Sequence, residues 1–133
     1  MRPRVQWALF CRDLTVDQRG LTTVSDLVHV LPVQSASARL WLVASIEGEP
    51  NGSVLLTLRL GLSGMPAIAL PAQSLTFGLD GFAELKAQLP PVPLFNAGTF
   101  SVDLSFADDL HPAERVAVKI ATSSDPVGPR RTS

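Results

Sequence analysis

Apolar and polar residues alternate with a period of two through much of this chain. The clearest stretch runs from Val54 to Leu62, where Val54, Leu56, Leu58, Leu60 and Leu62 share one phase and Leu55, Thr57, Arg59 and Gly61 the other. Successive side chains of a strand point to opposite faces, so this pattern predicts a strand with one buried face. Phe100, Val102, Leu104 and Phe106 alternate in the same way with Ser101, Asp103 and Ser105, and Val116, Val118 and Ile120 with Arg115, Ala117 and Lys119. The acidic pair Asp108-Asp109 between these two runs predicts a hairpin. In Leu40 to Ile46 both phases are apolar, as expected of a central strand or one whose outer face is covered. Val5 to Leu14 and the run Leu21 to Leu31, joined by a polar turn ending in Gly20, predict a second hairpin. Ala83 to Leu89 alternates like a strand although its residue types favour helix; strand is preferred because both neighbours are β.

Turn signals recur about every ten residues, at Asp17 to Gly20, Glu49 to Gly52, Ser63 to Pro66, Asp80-Gly81, Asn96 to Gly98 and Asp108-Asp109. Such spacing belongs to many short strands. The 11 prolines argue against long helices, and Pro90, Pro91 and Pro93 together predict a covered edge or a crossover loop. Seven or eight antiparallel strands in one domain close into a two-sheet sandwich or a small barrel. Uneven connections and the doubly apolar central strand favour the sandwich, immunoglobulin-like or C2-like. The expected organisation is one β-sandwich domain over residues 1–122 and a flexible tail over 123–133, where Pro126, Gly128, Pro129 and Arg130-Arg131 leave little to bury.

Composition narrows the function classes. The 133 residues are 46% hydrophobic with a formal charge of −1, which suits a folded domain and gives no basic face for nucleic acid or an anionic membrane. The apolar part of Val5 to Cys11 is too short for a secretory signal and is interrupted by Gln6, and no run approaches the ~20 apolar residues of a membrane helix. With Cys11 alone, no intrachain disulfide can form, which fits a reducing cytoplasm.

Candidate chemistry is sparse. Two histidines are the available imidazole bases: His29, read as a strand residue on an outer face, and His111. Neither a Gly-x-Ser-x-Gly elbow nor a phosphate-cradling glycine motif is present. Cys11, in phase with Val5, Trp7 and Leu9, is expected to be a buried structural thiol, and Trp7 and Trp41 to be core or inter-sheet anchors. The most polar concentration is Asp108, Asp109, His111 and Glu114 on the last hairpin loop. Oxygen ligands at such a tip could hold a divalent cation or serve hydrolysis, but the spacing is not that of an EF-hand, and an ordinary solvated turn is preferred. The expectation is therefore no catalytic, cofactor-binding or metal residue.

The opening Val5 to Leu14, a strand ending in Cys-x-Asp (Cys11 to Asp13), then a turn with Gly20 and an apolar second strand, resembles a bacterial family of small proteins of about this length classed as a domain of unknown function. Phe95 to Val102, an acidic turn and Val116-Ala117-Val118 are similar to that family's closing hairpin. Where the family tends to carry Gly-Val/Ile-Phe-Asp, this chain has Ser25-Asp26-Leu27-Val28. The resemblance implies a sandwich in a bacterial intracellular setting and brings no catalytic residue. The functional expectation is a non-enzymatic binding or assembly module acting through a sheet edge or end loops, with a protein partner or self-association and neither nucleic acid nor membrane insertion. A small-ligand or metal site at the 108–114 loop is the alternative.

Overall fold

A computed structural model describes residues 2–33, 39–107 and 111–122. They form ten strands and no helix: β1 (Arg4–Val16), β2 (Thr22–Leu27), β3 (Val30–Pro32), β4 (Trp41–Glu47), β5 (Ser53–Leu62), β6 (Ile68–Ala69), β7 (Gln73–Thr76), β8 (Phe82–Gln88), β9 (Gly98–Phe106) and β10 (Glu114–Ala121). Two sheets make a sandwich. One has the order β2-β1-β4-β8; the other has the order β3-β10-β9-β5-β6, with β7 also on β5. The tail from 123 and the acidic pair Asp108-Asp109 lie outside the described residues.

The alternating runs do what their pattern demands. Leu56 and Leu58 of β5, Val102 and Leu104 of β9, and Val118 and Ile120 of β10 enter the core, whereas Leu55 on the opposite phase is half exposed. β9 and β10 pair in register from Glu114↔Leu104 to Ile120↔Gly98. β4 is internal, paired with both β1 and β8, so Leu42, Ala44 and Ile46 face the core while Val43 on the other phase is also buried. Ala83 to Gln88 is strand, its helical propensity overridden by pairing with β4 and by burial of Leu85 and Ala87. Pro90 to Pro93 lie on the crossover from β8 to β9, with Val92, between the prolines, and Leu94, just after them, turned into the core.

Several expectations need correction. The strand count is ten because Ile68–Ala69 and Gln73–Thr76 add two short strands along β5, separated around Pro71, which has no amide hydrogen to offer a ladder. The run Leu21 to Leu31 is two strands, not one. Asp26 has φ 56°, and after Val28 the chain crosses to the other sheet, where β3 pairs parallel with β10 and so breaks the all-antiparallel expectation. His29 consequently sits in the crossover rather than inside a strand. Trp7 is no core anchor: a register shift between Val5 and Trp7 moves the inward phase to Ala8 and Phe10, and leaves Trp7 46% exposed. Phe10 takes the core place against Phe100, ring centroids 5.4 Å apart. Trp41, paired with Cys11 on that outward phase, is half-buried and outside the core cluster.

β1 changes partner at Cys11. Up to there it pairs with β4; from there to Val16 it pairs with β2 alone. At the hairpin's far end, Thr22 Oγ1 donates to Glu84 Oε1 of β8 at 2.7 Å. β2 and β8 are opposite edges of a four-stranded sheet, about 14 Å apart if the sheet were flat. The bond therefore requires the hairpin to bend across the outer face, the side to which exposed Glu84 points. Cys11 and Val43, both on that face, are fully covered.

Candidate functional site

The polar candidates do not converge. Cys11 is buried, as its sequence setting suggested, but on the outer face opposite Trp41 and not in the core cluster. Desolvation by burial raises its thiol pKa, and the nearby Asp13 charge raises it further against a lowering hydrogen bond from the Asp13 backbone. A thiol held protonated in a closed setting is a poor nucleophile. His29 and His111 are exposed on different connections, and Glu114 is exposed at the start of β10. Asp108 and Asp109, the other two members of that loop cluster, fall outside the described residues. Among the described residues no three His, Cys, Asp or Glu side chains gather where they could hold a metal ion.

Ionic contacts serve the sheet surfaces. Arg115 donates through Nε and Nη2 to the two carboxylate oxygens of Asp103, at 2.6 and 3.0 Å, across the β9–β10 ladder. This bond and then the Asp103 charge raise the Arg115 guanidinium. Arg4 and Gln6 both donate to Glu47 Oε1, at 2.8 and 2.7 Å. Forked pairs of this kind orient side chains and contribute little stability where solvent reaches them.

Beside a hollow of about 420 Å³ between Arg39, Gln73 and Gln88, two hollows lined mostly by apolar residues mark the described surface. The first lies at one end of the sandwich, between the β5–β6 turn and the crossover that precedes β9. Its two adjoining parts, about 230 and 90 Å³, share Leu62, Met65 and Pro93. The turn is fixed by the Ser63 hydroxyl, which accepts the Thr99 amide at 2.9 Å. Gly98 allows this approach, because a Cβ there would lie 2.8 Å from Ser63 Cβ. On the rim Met65, Ile68 and Phe95 are 54%, 55% and 58% exposed, beside Pro66, Pro90 and Pro91.

The second hollow, about 340 Å³, opens on the side of the sandwich between the two sheets. Ala8, Leu9 and Phe10 of β1 and Leu27 to His29 form one wall, and Val116 to Val118 of β10 the other. It exists because the chain runs from β2 straight across to β3, which covers β10 only at Lys119 to Ala121.

The elements around both hollows are legible in the sequence; the hollows themselves are not. Ser63 to Pro66 was legible as a turn and Pro90 to Pro93 as a crossover, but their meeting is a tertiary fact. The usable signal was Met65 and Ile68 in and after a turn, where polar residues are usual. No helix among the described residues is long and apolar enough to cross a membrane. No family model matches the chain, and the search of curated proteins returned no match.

Proposed function

We propose that this chain is a non-catalytic protein-binding module that engages its partner through the loops at one end of the sandwich. The observation that carries the reading is the grouping of Met65, Ile68 and Phe95, each more than half exposed, around an apolar hollow framed by prolines. Large apolar side chains standing together at a surface suit a protein contact. Methionine adapts to the shape of what it meets, and proline loops are already rigid, so little conformational freedom is lost on binding. The topology supports an immunoglobulin-like rather than C2-like sandwich: β4 lies beside β8, and β5, β9 and β10 are consecutive, matching the B–E and C–F–G neighbours of that fold. The reading also takes up the resemblance to the bacterial family and a cytoplasmic setting, where a lone thiol stays reduced.

The test is a triple substitution, Met65→Ser, Ile68→Ser and Phe95→Ser, in the tagged full chain expressed in its native host. A specific co-purifying protein or a concentration-dependent dimer, present with the parent chain and lost with the folded variant, supports the reading. Retention of every partner by the variant would refute it. Calcium and zinc titrations, reading the melting temperature, decide for or against the 108–114 alternative.

A further inference from the structure

We propose that the side hollow is a strand-acceptor slot, binding a short extended segment of another protein along Glu114 to Val118 of β10. This rests on the reading that the chain binds proteins, but uses a different surface.

The backbone identifies the occupant. The Val33 amide donates to the Ala121 carbonyl, so Ala121 directs its main-chain groups toward β3. Residues two apart on a strand point the same way, so Arg115 and Ala117 present their N–H and C=O groups on that side too. There, among the described residues, no strand pairs with β10 before Lys119. A row of main-chain donors and acceptors beside an apolar cavity is met by a peptide strand, which supplies the reciprocal groups and drops alternate side chains into the cavity.

β3 shows how the added strand would be read. Leu31, opposite Ile120, is fully buried, while Val30 and Pro32 on the other phase are not. Continuing that line, ligand residues opposite Val118 and Val116 point inward, toward Phe10 and Val28, with space for two branched aliphatic side chains. The residue between them, opposite Ala117, points outward and lies diagonal to Lys119 and to Arg115; Arg115 is already held by Asp103, so Lys119 sets the charge preference. The favoured ligand is thus an acidic residue flanked by two β-branched aliphatic ones.

A second copy of this chain fits poorly. Two β10 edges paired about Val116 would place one copy's residue 113 against the other's Lys119, where β3 already lies. Of the remaining edges, β2 lends Leu27 to this hollow but holds Asp26 in a left-handed conformation that interrupts an added ladder, and β8, whose Gln88 lines the hollow beside Arg39 and Gln73, carries Glu84 and Lys86, the charges that discourage pairing.

The experiment uses a blocked, fluorescently labelled peptide Ser-Val-Glu-Val-Thr and the full chain, with amide shifts read by NMR. The expected result is saturable shifts confined to β10, Leu27 to His29 and Ala8 to Phe10. Ala117→Pro, which removes an N–H that faces no strand among the described residues, should weaken binding by roughly tenfold while the melting curve stays in place. Lys119→Glu should reverse the preference from a glutamate-centred to a lysine-centred peptide. Absence of shifts at millimolar peptide, or binding indifferent to both substitutions, overturns the proposal. So does a dimer of the chain that Ala117→Pro dissolves, which would assign the slot to a second copy. Loss of a partner only in the Met65, Ile68 and Phe95 variant, with a silent peptide, would sink this proposal and leave the end-loop reading standing.

Discussion

Adding one methyl group at Gly48 should destabilise the fold, and the damage should vanish when the ring of Phe77 is removed. A Cβ built on Gly48 lies 2.4, 2.5 and 2.8 Å from Phe77 Cζ, Cε2 and Cε1. Carbon atoms settle at about 3.5–4.0 Å, so the ring must retreat by about 1 Å or more. It has little room, being 3% exposed and part of the core cluster. The backbones cannot easily part either, because Gly48 donates to the Gly81 carbonyl at 2.8 Å and Phe77 to the Gly52 carbonyl at 2.9 Å. Overpacking of this kind costs about 1–3 kcal/mol, against which reduced freedom of the unfolded chain returns about 0.4–1 kcal/mol. The net loss for Gly48→Ala is therefore on the order of 1–2 kcal/mol. Phe77→Ala alone should cost about 3–5 kcal/mol. Urea unfolding followed by circular dichroism, applied to both single variants and the double variant, closes the cycle. The double variant should be no less stable than Phe77→Ala, a coupling of about the same size as the overpacking cost. Simple additivity would show that the ring is not what the glycine makes way for, and the packing argument would fall.

Other consequences are as direct. Leu58→Asp should abolish folding, because an unpaired carboxylate at a fully buried position costs several kcal/mol, while Thr57→Asp on the outer phase should leave a cooperative transition; equal effects in urea unfolding would contradict the assigned faces. Cys11 should react slowly with a bulky thiol reagent until denaturant is added, and rapid stoichiometric labelling would show that the outer face is open. Thr22→Val, which cuts the hairpin's tie to Glu84, should accelerate that labelling while moving global stability by only about 1 kcal/mol. The raised Cys11 pKa also carries a pH dependence. In the pH range above the ordinary thiol value of 9.0, the unfolded chain loses the proton that the folded chain keeps, so stability falls as pH rises toward the folded pKa. Cys11→Ala should flatten this alkaline decline in urea midpoints, and an unchanged decline would place its source elsewhere.

Sheet membership was legible wherever one face of a strand is apolar and the other is not. β5, β9 and β10 declare their inward residues through simple alternation, because a single buried face leaves only one workable phase. β1 misleads for a physical reason: its residues are apolar on both phases around Trp7 to Cys11, so one register shift can exchange them at little cost in burial, and it put Phe10 inside in place of Trp7. The break between β2 and β3 hides in Asp26, a residue that tolerates positive φ but does not announce it as glycine would. The two hollows were illegible because each is made by segments distant in sequence. Leu27 and Val116, or Met65 and Phe95, become neighbours only through the order of the strands.

That order also governs how the chain can assemble as it is made. The sheet containing β1, β2, β4 and β8 has all its strands once Gln88 has emerged from the ribosome. Its apolar face, with Phe10, Leu42, Ile46 and Leu85, must then wait for Phe100, Val102, Leu104, Val118 and Ile120, and β3 waits for β10, its partner among the described residues. At about 5–20 residues per second, synthesis of Gly98 to Ala121 occupies on the order of seconds. For that interval the facing layer consists of β5, with Leu56, Leu58 and Leu60, and its short companions without β9 and β10, and a slow codon or a stall ahead of Gly98 would hold the uncovered remainder open to chaperones or to other nascent chains.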